Sequence, residues 1–172
     1  SRLRIAQTSV VALDNETGGI LALIGGRDFS ESKFNRAIQA RRQPGSSFKA
    51  FVYTAALDSL YTPASVILDQ PITLTTPEGE WRPENYDRKF FGPVTLRYAL
   101  AKSINLVAIQ VLMRIGAREV IGYARKMGLE HNLPPVAALA IGACEVTPME
   151  MVSAYSIFPN GGMHIEPYFV EK

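Results

Sequence analysis

The segment Arg42-Gln43-Pro44-Gly45-Ser46-Ser47-Phe48-Lys49-Ala50-Phe51-Val52-Tyr53 decides how the rest of the chain is interpreted. Pro44-Gly45 is a pair that breaks regular structure, and apolar residues recur behind it at helical spacing as far as Leu60. This spacing predicts a helix in which Ser46 is the N-cap or lies in the first turn. Lys49 follows three residues later, so the hydroxyl and the amine share one face of the helix.

This arrangement is suited to making a nucleophile. A serine hydroxyl attacks poorly unless a base removes its proton, and a lysine acts as that base only as the neutral amine. Burial, a nearby cation or the positive end of the helix dipole would each lower the pKa of Lys49. The alternative is a capping serine followed by a lysine that reaches solvent. Ser30-Glu31-Ser32-Lys33 has the same spacing, but it lacks a following apolar helix, which indicates a solvated loop.

Composition limits the possible classes of protein. The 172 residues fit one domain, and 47% hydrophobic with 20% charged residues is typical of a globular core. A net charge of +2 with both signs interspersed gives no basic stripe, so no nucleic-acid partner is expected. The single cysteine, Cys144, allows no internal disulfide and is predicted to be buried and inert. The sequence has no metal-ligand cluster and no phosphate-binding loop, and therefore predicts no cofactor. It also has no apolar run of membrane-spanning length, about 18 residues.

The first part of the chain predicts strands. Residues 5–13 and 19–24 are β-prone runs joined by turn residues, which predicts a hairpin. Both runs are almost entirely apolar, so we expect a sheet that is covered on more than one face. Residues 29–43 are polar and are predicted to form a loop that leads to Ser46. Residue 1 opens almost directly into strand-like sequence, which indicates a piece of a longer protein.

Mixed elements are predicted after the Ser46 helix. Residues 66–68 and 72–75 are short β-prone pieces, and residues 77–93 form a long loop that is rich in proline and aromatic residues. The aromatic side chains either line a groove for an extended substrate or pack the loop onto the domain. Helices are predicted at residues 94–101, 106–115 and 117–127, and a last one begins at the capping residue Thr147.

Lys102-Ser103-Ile104-Asn105 is a polar interruption between two apolar helices. Ser and Asn are favoured helix caps, and capping is one interpretation of this segment. Near an activated serine, a second interpretation applies, in which Ser103 passes a proton onward and Asn105 hydrogen-bonds a substrate amide. Lys102 would add positive potential. The two interpretations are compatible.

The segment of residues 42–49 resembles the nucleophile segment in the transpeptidase domain of class A, bifunctional penicillin-binding proteins. Four more segments resemble that family in the same order: residues 25–30 (GGRDFS), 81–86 (WRPENY), 101–105 (AKSIN) and 145–150 (EVTPME). The resemblance implies an α+β fold with an antiparallel sheet and a helical lobe. The family's third motif, K-T-G, is absent from residues 1–172. We therefore expect these residues to be the N-terminal half of a transpeptidase domain that is incomplete at its C-terminal side.

The resemblance also implies a reaction and its residues. The implied enzyme is a peptidoglycan D,D-transpeptidase that cross-links stem peptides and is acylated by β-lactams. Ser46 would be the nucleophile and Lys49 the general base, with Ser103 as proton relay and Asn105 as substrate-binding residue.

The implied partners are stem peptides, β-lactams and the C-terminal remainder of the domain. The implied parent protein has a membrane anchor and a glycosyltransferase domain, and lies at the outer face of the bacterial cytoplasmic membrane. Alternatives within the same fold are a β-lactamase, a β-lactam sensor and a non-catalytic scaffold domain.

Overall fold

Glycines and prolines divide the chain into short helices and strands, which a computed structural model describes for residues 6–170. They form two units. The first consists of residues 6–43, 124–132 and 145–170, and the second of residues 44–123 and 133–144. All four candidate site residues belong to the second unit. Within residues 6–170, no helix has both the length and the apolar character that crossing a bilayer requires.

The predicted hairpin is the sheet of the first unit. Strand β1 (Val10–Leu13) pairs antiparallel with β2 (Ile20–Ile24), and the side chain of Asp14 accepts hydrogen bonds within the turn. The prediction of a strand from residue 5 is too long, because the strand begins at Val10; Ile5 itself lies outside the described residues. Leu21 is 70% exposed among residues 6–170, so coverage of more than one face stays a prediction for the complete domain.

Two helices complete the description of the first unit. The segment predicted as a loop contains a short helix, α1 (Arg36–Gln39), which begins because the side chain of Asn35 accepts from the N–H of Ala37. Helix α6 (Pro148–Ser156) begins at Thr147 as predicted and packs on β1. The Ser30–Lys33 segment is exposed loop, as predicted, and Ser30 Oγ donates to Asp28 Oδ1 at 2.7 Å.

The second unit is mainly helical. Its elements are a 3₁₀ helix (Gly45–Phe48) that runs directly into α2 (Lys49–Ser59), then α3 (Leu96–Ala101), α4 (Asn105–Ile115) and a 3₁₀ helix (Ala137–Ile141). Helix α4 is the centre of this unit and packs against α2, α3 and the 3₁₀ helix of residues 137–141. Its fully buried residues are Leu106, Val107, Ala108, Ile109 and Val111. Helix α5 (Ala117–Lys126) follows α4, and Cys144 is buried as predicted.

Two small antiparallel pairs lie between α2 and α3 in sequence. Strand β3 (Val66–Asp69) pairs with β6 (Gly92–Thr95), and β4 (Leu74–Thr76) pairs with β5 (Gly79–Trp81). The prediction of a helix from residue 94 is therefore wrong by two residues. Thr95 stays extended because its side chain caps α3 by accepting from the N–H of Tyr98.

Candidate active site

Ser46 lies in the 3₁₀ turn that leads into α2, so the prediction that it stands at a helix start is confirmed. It is exposed. The residue before it, Gly45, is fixed by a contact between backbones. Gly142 ends the second 3₁₀ helix with φ +79°, and a Cβ added to it would lie 2.5 Å from Gly45 N and 2.7 Å from Gly45 Cα. Only glycine at position 142 allows this approach, which holds the chain immediately ahead of Ser46.

Lys49 is the most unusual side chain of the second unit, because it carries an amine and is only 1% exposed. Burial disfavours the ammonium and lowers the pKa of Lys49 to about 8. Its Nζ donates to Ser103 O at 2.5 Å, to Asn105 Oδ1 at 2.6 Å and to Ser103 Oγ at 2.9 Å. The structure therefore brings Lys49, Ser103 and Asn105 together. Ser46 does not provide any of the three oxygen atoms that Lys49 Nζ contacts.

The hydrogen-bond roles in the three contacts of Lys49 differ between its protonated and neutral states. The ammonium has three N–H donors, which match the three oxygen atoms. The neutral amine has only two donors and one lone pair. Since the carbonyl oxygen of Ser103 and Oδ1 of Asn105 can only accept, the lone pair is left to the hydroxyl of Ser103. This hydroxyl is thus placed to exchange a proton with Lys49.

Ser103 occupies a backbone conformation that normally belongs to glycine. Its φ is +54°, directly after α3. The N–H of Ser103 bonds to Leu100 O at 3.0 Å and that of Ile104 to Ala99 O at 2.9 Å. These two bonds define a Schellman motif, in which the left-handed position is usually glycine. A serine held there is a strained residue, a feature that clusters at functional sites.

The capping interpretation of Ser103 and Asn105 is wrong. The N-cap of α4 is Ile104, which has no capping side chain, and Asn105 is the first helical residue. The amide of Asn105 is used otherwise: Oδ1 accepts from Lys49, and Nδ2 donates to Glu84 O at 3.0 Å. The missing cap comes from Asn85, whose Oδ1 accepts from the N–H of Asn105.

Sequence reasoning missed two buried polar residues, Asn85 and Asp69. Asn85 Nδ2 donates to both carboxylate oxygens of Asp69, at 2.9 and 3.0 Å. Asn85 lies in the segment of residues 81–86, which drew attention only through the family resemblance. Asp69 ends a short β-prone piece, and its only sequence signal is a weak one. A polar residue in an apolar run is a weak hint that it has a buried partner.

The loop of residues 82–91 borders a cavity of about 350 Å³ beside Ser103. Its lining includes Tyr86, Phe91 and Tyr98, together with Lys102. Tyr86 is fully exposed and Phe91 is 41% exposed. Phe91 also packs edge-on against Tyr98, with ring centroids 6.3 Å apart. The loop aromatics therefore show features of both interpretations, and binding of an extended substrate stays a prediction.

Comparisons with known proteins agree on one family. The family model described as the penicillin binding protein transpeptidase domain matches residues 8–172. Penicillin-binding protein 1A of Pseudomonas aeruginosa is 46% identical over 170 residues, which are 97% of this chain and 21% of that protein. The chain thus spans about a fifth of the length of this curated relative.

Solved structures give the same result. The 2.6 Å crystal structure of penicillin-binding protein 1A from Haemophilus influenzae matches with a TM-score of 0.92 at 39% identity, over 96% of this chain and 25% of that chain. Penicillin-binding protein A from M. tuberculosis, in an imipenem acyl-enzyme complex, matches with a TM-score of 0.82 at 28% identity, over 93% of this chain and 47% of that chain. These matches confirm the α+β fold that the resemblance implied.

Proposed function

Because the chain belongs to the penicillin-binding protein transpeptidase family, we propose that it carries the nucleophile and the base of a serine-type peptidoglycan D,D-transpeptidase. The observation that carries this proposal is the buried Lys49, held by Ser103 and Asn105 one turn after an exposed serine at a helix start. A lysine whose pKa burial lowers to about 8 is a base that works near neutral pH.

The proposed acylation starts at Ser46. For this step the lone pair of neutral Lys49 turns from the hydroxyl of Ser103 to that of Ser46 and takes its proton. Ser46 Oγ then attacks the carbonyl carbon of the D-Ala-D-Ala bond of a stem peptide. The backbone N–H of Ser46 is one donor to the oxyanion that forms. The C–N bond then breaks as the proton passes from Lys49, through the hydroxyl of Ser103, to the leaving nitrogen. D-alanine departs and an ester remains on Ser46.

The second half of the reaction transfers the acyl group. The amine of another stem peptide attacks the ester carbon and forms a new C–N bond. The C–O bond to Ser46 breaks, and Ser46 Oγ takes up the proton that the amine gives up. A β-lactam would acylate Ser46 in the same way, with cleavage of its ring C–N bond. Asn105 would orient the acyl chain, because one N–H of its Nδ2 remains after the bond to Glu84 O.

The site is proposed to be completed by a later part of the same domain. None of the six lysines among the 172 residues is followed by Thr-Gly or Ser-Gly. Leu21 and Ile24 on β2 are 70% and 51% exposed, which fits a strand edge or face that further strands would cover. Residues 1–172 expressed alone should bind penicillin negligibly, and addition of the downstream segment should restore acylation. Stoichiometric acylation of a purified, monomeric 1–172 fragment would contradict this proposal.

The reaction and its substrate also suggest a location. The parent protein is proposed to be anchored in the bacterial cytoplasmic membrane, with this domain on the outer face, where stem peptides are cross-linked. The resemblance of the chain to class A proteins supports this location. Protease accessibility of the domain in intact spheroplasts is the measurement that checks it.

Labelling with a fluorescent penicillin tests the proposed chemistry. In the complete transpeptidase domain, label should be recovered on the peptide that contains Ser46, and Ser46→Ala should remove it. Ser30→Ala is the matched control, since Ser30 has the same S-x-x-K spacing, and it should label normally. An acyl-enzyme that persists for hours supports a transpeptidase, rapid turnover would indicate a β-lactamase, and absence of label would indicate a scaffold.

A further inference from the structure

We propose that Asn85 and Asp69 are positioning residues, which hold the start of α4 so that Asn105 presents its oxygen to Lys49. This inference rests on the proposed function, because it explains how Asn105, a hydrogen-bond partner of the proposed base Lys49, is held in place. Neither residue contacts Lys49 in the described hydrogen-bond network, so each acts through another residue.

The first step is the cap of α4. The first N–H groups of a helix have no partner within the helix, and they need one when they are buried. Here Ile104 supplies no capping side chain. Instead, Asn85 Oδ1 accepts from the N–H of Asn105 at 3.0 Å and from that of Leu106 at 3.2 Å. A residue 20 positions earlier therefore fixes where α4 begins.

The second step is the orientation of the Asn85 amide. A carboxylate accepts hydrogen bonds and cannot donate them, so Asp69 forces the NH₂ group of Asn85 to face it. The oxygen of the amide must then point to the backbone of α4. Asp69 is 1% exposed and also accepts from the N–H of Phe91 at 2.9 Å. Lys89 O receives a further bond from Asn85 Nδ2 at 2.8 Å. The amide is held on both sides, and it cannot turn over without leaving donors facing donors.

The third step leads to the base. Asn85 accepts from the backbone N–H of Asn105. The side chain of Asn105 donates from Nδ2 to the carbonyl oxygen of Glu84, the residue that precedes Asn85. This second bond leaves Oδ1 of Asn105 facing Lys49 Nζ, at 2.6 Å. The adjacent residues Glu84 and Asn85 thus fix the backbone and the side chain of Asn105 together. A shift of α4 would move one of the three oxygen partners of Lys49.

An exchange of the two side-chain types tests this assignment. In the complete transpeptidase domain, Asn85→Asp places two carboxylates together, and Asp69→Asn places two amides together. Each single variant should lower the rate of penicillin acylation per active site by about 10- to 100-fold, as expected for a misplacement of about 1 Å. The double variant Asn85→Asp with Asp69→Asn should recover part of the rate. In it, an amide at 69 donates to a carboxylate at 85 that still caps α4, but the bond to Lys89 O is lost because a carboxylate cannot donate.

The control and the readout separate positioning from stability. Glu78→Gln makes the same carboxylate-to-amide change at an exposed position of the second unit that does not line the cavity beside Ser103, and it should acylate at the wild-type rate. The amplitude of labelling counts active sites, and the time course gives the rate per site and its pH midpoint. A purely structural role would reduce the amplitude and leave rate and midpoint unchanged.

The outcomes are decisive in each direction. Single variants that acylate at the wild-type rate per site, with the wild-type pH midpoint, would overturn the inference while leaving the proposed function intact. If Asn85→Asp yields no folded protein, the near-isosteric Asp69→Asn variant gives the answer. A wild-type domain that is never acylated at Ser46 would instead overturn the proposed function, and with it this inference.

Discussion

Lys49 Nζ lies 2.5 Å from the carbonyl oxygen and 2.9 Å from the hydroxyl oxygen of Ser103, although 54 positions separate the two residues in sequence. Lys49 belongs to the first turn of α2, and Ser103 to the turn that precedes α4. The contact joins two elements whose packing forms the centre of the second unit. A change at either residue should therefore affect both the proposed base, Lys49, and the proposed proton relay, Ser103.

The pH dependence of acylation should report the state of Lys49. Burial lowers the pKa of Lys49 to about 8, and in the proposed mechanism the neutral amine is the base. The acylation rate should therefore rise as pH increases through about 8, with roughly a tenth of the full rate at pH 7. Stopped-flow labelling with a chromogenic cephalosporin measures this profile.

Lys49→Arg should fold but not acylate, because a guanidinium stays protonated. Acylation of this variant at the wild-type rate would mean that Lys49 is a structural cation and not the base.

Ser103→Gly should separate stability from activity. The positive φ of Ser103 disfavours any residue with a Cβ, by about 1–2 kcal/mol, and glycine avoids that penalty. Ser103→Gly and Ser103→Ala both lose the hydroxyl, so both should acylate poorly. Thermal or urea denaturation should nevertheless find the glycine variant more stable than the alanine variant by about 1 kcal/mol. Equal stabilities would mean that the turn relaxes without strain.

Gly142→Ala should weaken acylation although residue 142 has no chemistry of its own. The added methyl group would meet the backbone of Gly45, which cannot move without moving Ser46. We expect a loss in acylation rate of about 10²-fold. Gly116→Ala is the matched control: Gly116 also has positive φ, at +100°, but nothing lies within 4 Å of its Cβ position. Equal losses in the two variants would attribute the effect to backbone strain alone.

The capping box of α6 offers a test of stability in the first unit. Thr147 Oγ1 accepts from the N–H of Glu150 at 3.2 Å, and the carboxylate of Glu150 accepts from the N–H of Thr147 at 2.8 Å. Thr147→Ala should lower the free energy of unfolding by about 1 kcal/mol, whereas Thr147→Ser keeps the oxygen and should lower it by less. Denaturant titrations of the complete domain measure both values. Identical losses would assign the effect to the lost methyl group.

Much of the fold followed from local sequence. The Pro-Gly break, the i,i+3 spacing of Ser46 and Lys49, the apolar helix α4 and the capping signal at Thr147 all concern residues within a few positions of one another. Hydrophobic period and cap preference act over that range, and those predictions agree with the structure. Some errors lie at element ends, such as Val94, where strand pairing with Ile67 overrides the helical pattern. Others are the short helix α1 inside a predicted loop and the capping interpretation of Ser103 and Asn105.

The sequence by itself determined the family, the nucleophile candidate and the base candidate, because these depend on residue types at short, fixed spacing. Tertiary structure alone decided how Lys49 meets Ser103 and Asn105, that Ser103 has a positive φ, and that Asp69 and Asn85 hold the start of α4. The hydrogen bonds of Lys49 and of Asn85 with these partners join residues that are 16 to 56 positions apart. The residue type shows that a buried amide or carboxylate needs a partner. Which partner lies within hydrogen-bonding distance depends on how the helices and strands pack.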